Sequence, residues 1–177
     1  MNQQPNDKIR FLRGLRAVRD YTPEPIPEDV LRDILEVGRW SGSSSNVQGT
    51  ELVVVRDPAV KQRMSELGAR PAAGAAAVLV VVTPGDAERR DLESFDNGRL
   101  VERLLLAAKA QGLGSNIATL KEDGPDVIKQ TLGIPPERRI WTVVTLGYPD
   151  EAAHKARPKN PTAGRKPVEN FVHWERY

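Results

Sequence analysis

The stretch AAGAAAVLVVVTPGD, residues 72–86, decides the fold. From Ala76 to Val82 it is unbroken apolar sequence, closed by Thr83, Pro84 and Gly85. Valine dominates it, and β-branched side chains favour extended backbone. A strand with one wet face would alternate apolar and polar residues, and this one does not. Residues 76–83 are therefore expected to form a central strand buried on both faces. The wider apolar run, 72–82, contains Gly74 and is too short to cross a bilayer.

The neighbouring segments supply the covers. ELVVVRDP (51–58) reads as a second strand ending in a turn, and AVKQRMSEL (59–67) as a short helix. In RDLESFDNGRLVERLLLAAKAQGLGS (90–115), Leu100, Val101, Leu104, Leu105 and Ala108 recur at helical spacing, and Gly112 and Gly114 read as the stop. A helix is expected over about 123–131, with LGIPPE as its exit, and RRIWTVVTLGYP (138–149) as another strand. Towards the N-terminus, Ile9, Leu12, Leu15 and Val18 predict one amphipathic helix over 7–19. TPEPIPED (22–29) breaks it, and Pro27 with Glu28 and Asp29 starts a helix running to Trp40. From Glu151 the chain turns polar and proline-rich, and an extended arm is expected over about 151–177. The residues thus predict a single domain, 1–177, of α/β or α+β class with one sheet covered by helices.

Composition narrows the chemistry. Lys and Arg number 26 against 24 Asp and Glu, so the net charge of +2 gives no reason to expect a nucleic-acid partner. There is no cysteine, which removes disulfides, thiolate nucleophiles and Cys-ligated metals. The two histidines, His154 and His173, have no neighbouring ligand types, so no metal site is expected. MNQQPNDKIR (1–10) lacks an apolar core segment, so a cytoplasmic protein without a membrane partner is expected. No G-x-S-x-G, H-E-x-x-H or P-loop motif occurs, and GLGSNI (112–117) follows a helix rather than a strand, unlike a dinucleotide phosphate loop.

What remains is GRWSGSSSNVQGTELVVV (38–55), where a helix breaks into small polar residues before a strand. Alone, Ser43, Ser44 and Ser45 are compatible with a mere connection, and Arg16, Arg19, Arg165 and Lys166 with solvated surface. The ordered set carries more. LRAVRDYTPEPIP, GRWSGSSSNVQGTELVVV, LLLAAKAQGLGSNIATL, VVTLGYP and GRKPVENFVHW follow one another from about residue 10 to 175. In that order they resemble the nitroreductase family of FMN-dependent NAD(P)H oxidoreductases.

The resemblance implies a nitroreductase-like α+β fold, with a mostly antiparallel sheet flanked by helices. It also implies FMN as cofactor, NAD(P)H as electron donor and a homodimer. The expected activity is ping-pong hydride transfer through flavin N5 to a small-molecule acceptor such as a nitroaromatic or quinone. Arg16, Arg165 and Lys166 are expected at the FMN phosphate, since guanidinium forks suit phosphate. Ser43, Ser44, Ser45, Asn46 and Gln48 are expected along the ribityl chain and pyrimidine edge, with Ala17 beside the phosphate box. Arg19 is expected near N1–C2=O, where positive charge stabilises reduced flavin. Ala118, Thr119 and Leu120 correspond to the segment facing N5. No catalytic acid or base is implied. Phe171, Val172, Trp174 and Tyr177 are expected to be buried on a partner subunit. Two other readings stay open: a flavin carrier with little turnover, and an interaction module without flavin.

The chain departs from the family pattern at several positions. Leu15 and Ala17 stand where the family has Arg and Ser, Gly42 where it has Pro, and Gly49-Thr50 where it has Pro-Trp; Thr119 replaces a glycine. Arg13 lies within a turn of Arg16 and is placed to compensate. The interval Pro84 to Asp96 is short and charged, so no large lid is expected.

Overall fold

A computed structural model describes residues 6–158 and 164–177. Its elements are helices α1 (Asp7–Arg13), α2 (Glu28–Arg39), α3 (Pro58–Glu66), α4 (Arg90–Ala110), α5 (Gly124–Leu132) and α6 (Glu151–Ala156), and strands β1 (Glu51–Val55), β2 (Ala77–Thr83), β3 (Gly114–Ala118) and β4 (Arg139–Gly147). Among the described residues the strands form one antiparallel sheet of order β1-β2-β4-β3.

All of β2 is buried, as its composition demands. Ala77, Leu79 and Val81 face a core built with Ile34 of α2 and Leu100, Val101 and Leu104 of α4. Val78, Val80 and Val82 face a second core containing Met64 of α3, Ile128 of α5 and Val143 of β4. Antiparallel sheets commonly leave one face wet; here helices cover both, so the central strand has no polar alternation. Gly38 lets α2 approach α4 closely, since a Cβ there would lie 2.7 Å from Leu104 Cδ2. Glu93 in the first turns of α4 accepts from the Thr83 hydroxyl at 2.8 Å and the Asp86 N–H at 2.9 Å, which fixes the turn leaving β2. The interval expected to lack a lid is therefore this turn and the start of α4.

Three expectations need correction. The first helix ends at Arg13, capped by Gly14, not at residue 19. Beyond it the backbone is taken by the outer edge of β3: Ala17 bridges Ser115 in parallel, and Val18 N–H donates to Ser115 O at 2.8 Å. A tertiary hydrogen bond thus overrides the helical spacing. Second, Gly112 does stop α4 at φ +75°, but Gly114 opens β3, where its missing Cβ makes room for Val18 Cγ1 at 2.6 Å. Third, the arm does not begin extended, because Asp150 caps the short helix α6 by accepting from Ala153 N–H at 2.9 Å. The part of the predicted arm at 159–163 lies outside the described residues. No helix among the described residues is long and apolar enough to cross a membrane.

Candidate functional site

The extended segment after α1 is locked by Tyr21. Its hydroxyl donates to Val18 O at 2.6 Å and shares a hydrogen bond with the Thr145 hydroxyl at 2.7 Å. Its ring fills the space above Gly147, where a Cβ would lie 2.8 Å from the ring. Burial pushes the phenol up to about 12, against the lowering effect of the Thr145 hydrogen bond. Next to it, the Arg157 guanidinium hydrogen-bonds Asp20, with Nη2 at 2.7 Å from Oδ1, and holds that carboxyl below its usual range. These contacts fix the backbone that presents Arg16 and Arg19, both exposed.

Arg16 turns back on its own chain, donating to Arg13 O at 2.8 Å and Leu15 O at 2.7 Å. It lines an open basin of about 460 Å³ with Leu12, Arg13, Leu15, Glu102 and Arg165. Arg16 and Arg165, far apart in sequence, are therefore brought together, and Arg13 joins them. Among the described residues none of these arginines has a carboxylate within ion-pair distance. Such a basin suits a dianion with several oxygens. Lys166 is exposed, and neither it nor Ala17 lines the basin; Ala17 forms the bridge to Ser115.

Ser43, Ser44, Ser45, Asn46 and Gln48 form a second region, a tight turn between α2 and β1. Ser45, Asn46 and Gln48 have φ of +52°, +54° and +53°, in the left-handed region that non-glycine residues rarely occupy. Ser43 Oγ accepts from Gln48 N–H at 2.8 Å, and Asp96 of α4 accepts from Ser44 N–H at 2.8 Å. Behind the turn lies a cavity of about 370 Å³ lined by apolar groups, Leu35, Leu52, Val54 and Leu100, and by polar ones including Arg39 and Asp96.

Ala118 ends β3 opposite Val143, and Thr119 and Leu120 follow, with Thr119 exposed. The residues expected around one ligand thus lie in separate places within one chain. No residue of the basin lines the cavity behind the serine turn. Phe171, Trp174 and Tyr177 are 79%, 83% and 106% exposed. Sequence reasoning left out Glu102, Asp96 and Arg99. Among the many polar residues of α4 nothing local marks these three or says which loop they meet.

Comparison with known proteins gives a consistent match. The model of the Nitroreductase family matches residues 12–70 and 65–148. The chain is 32% identical to an NADH dehydrogenase of Thermus thermophilus, covering 90% of this chain and 91% of that one. It is 27% identical to an FMN reductase [NAD(P)H] of Bacillus subtilis, covering 86% of this chain and 70% of that one. An FMN-dependent nitroreductase structure from Clostridium difficile superposes with a TM-score of 0.79 at 22% identity, covering 96% of this chain and 99% of that one.

Proposed function

The chain belongs to the nitroreductase family, and from that premise we propose that it is an FMN-dependent NAD(P)H oxidoreductase acting on small electrophiles such as nitroaromatics or quinones. The observation that carries this reading is the basin of Arg13, Arg16 and Arg165, which fits a phosphate dianion. Arg13 takes the role of the cation missing at Leu15. Arg19, exposed on the locked segment, supplies positive charge to the pyrimidine edge. The serine turn offers hydroxyl, amide and backbone groups to the ribityl chain and ring, and Ala118, Thr119 and Leu120 border the ring's other edge. FMN supplies the hydride and electron chemistry; the side chains bind, orient and tune it.

Two copies complete the slot in this reading. The basin and the turn are apart in one chain, and the exposed Phe171 and Trp174 give the C-terminal arm an apolar face for a partner. The chain acts as one domain, 1–177, whose arm belongs to the dimer contact. The two-step cycle has NAD(P)H and the acceptor using the same open slot in turn.

The test is direct. Purified protein should take up one FMN per chain, sediment as a dimer, and lose its flavin colour on anaerobic addition of NADH or NADPH. A colourless monomer that ignores added FMN overturns the proposal. Stoichiometric flavin that neither cofactor bleaches overturns the oxidoreductase part alone.

A further inference from the structure

The serine turn is propped rather than packed. Cavities of about 370 and 180 Å³ flank it, and Ser43, Thr50 and Asp96 line both. Residues 45–48 are exposed, so little packing supports a backbone with left-handed residues at Ser45, Asn46 and Gln48. Strained conformations of this kind persist only where surrounding contacts over-determine them. The Ser43–Gln48 hydrogen bond is internal to the turn and travels with it. Among the described residues, the bond from Ser44 N–H to Asp96 Oδ2, at 2.8 Å, ties residues 43–48 to α4, while Arg138 Nη1 donates to Gly49 O at 3.3 Å just beyond the turn.

Asp96 is itself constrained. Its side chain is 13% exposed, and Oδ1 is buried without a hydrogen bond, 3.7 Å from Arg99 Nη1 one turn along α4. The Arg99 guanidinium lies over the Phe95 ring at 5.6 Å and against Gly42, where a Cβ would overlap Nη2. Gly42 is where the family pattern has proline. Proline would stiffen the entry to the turn through its fixed φ; glycine gives that up and opens a seat for Arg99.

We propose that Asp96 and Arg99 of α4, with Gly42 as the seat, form a clamp that sets the shape of the Ser43–Gln48 turn in this chain. They are positioning residues: Asp96 holds the Ser44 amide, and Arg99 holds Asp96 in its rotamer while covering Gly42. The consequence for flavin rests on the function proposed above; the clamp does not.

Hydrogen exchange on flavin-free protein tests it. Asp96→Ala should speed exchange of the Ser44 amide roughly ten-fold or more, while β2 amides stay protected and report an intact fold. Asp96→Asn, which keeps an acceptor, should restore protection. Gly42→Ala displaces the guanidinium, so it should reproduce Arg99→Ala, and the double variant should be no worse than either. Unchanged Ser44 exchange in Asp96→Ala, or additive effects of Gly42→Ala and Arg99→Ala, overturns the clamp. In FMN titrations, Asp96→Ala should weaken binding about 10-fold and Asp96→Asn should not. Wild-type protein that takes up no FMN defeats the flavin reading, and the exchange data then decide the clamp by themselves.

Discussion

In the function proposed above, the arginine basin meets its ligand with long cations on an exposed surface, and Arg16 is steadied by the carbonyls of its own segment. In the same proposal the serine turn offers short groups; its backbone is strained, and its braces at Ser44 and Gln48 are hydrogen bonds to amides of the turn. The proposed role of the basin rests on charge and tolerates loose geometry. The proposed role of the turn rests on shape and tolerates none. Losing a side chain should therefore act differently in the two: in the basin on binding with little effect on the fold, in the turn on both.

The sharpest way to break that contrast is Arg16→Ala. Loss of a charge-assisted contact should weaken FMN about 10- to 100-fold in a fluorescence titration. The melting temperature should hold, because Arg16 is exposed. A fall in melting temperature equal to that of a core substitution would place Arg16 in the structure instead. Next, Ser45→Gly relieves left-handed strain at φ +52°. It should stabilise flavin-free protein by about 0.5–1 kcal/mol in denaturant melts while weakening FMN, because a looser turn is less preorganised. Stabilisation with unchanged affinity would show that the strain has no bearing on binding. The smallest effect belongs to Glu102, which faces the basin as a carboxylate. Glu102→Gln should tighten FMN about two- to five-fold, an increment typical of an exposed charge, and the gain should shrink as salt rises.

The layered core was readable because its signals are local. The valine run of β2, the three-and-four spacing of α4 and the Pro-acid start of α2 each specify an element without help from elsewhere. The misreadings arise where distant backbone decides. Leu15 and Val18 continue the spacing of Ile9 and Leu12, yet Ser115 captures the segment. β3 is only Gly-Ser-Asn-Ile-Ala, a composition that reads as loop until β4 lies beside it. The candidate site divides the same way. Its arginines and serines stand out by type and order, whereas Asp96, which holds Ser44 from 52 positions away, has no local mark.

The lock at Tyr21 carries a consequence for how the protein matures and fails. Its partners, Val18 aside, come from a strand 124 positions later in the chain, and the Arg157 tie to Asp20 spans 137. Contacts of such long range close late, after the intervening chain has collapsed. A nascent chain therefore acquires its cationic segment in place only after β4 has been made. In the proposed reading that segment holds the cofactor, so flavin fluorescence and far-UV circular dichroism followed together on heating report whether the lock opens before the sheet.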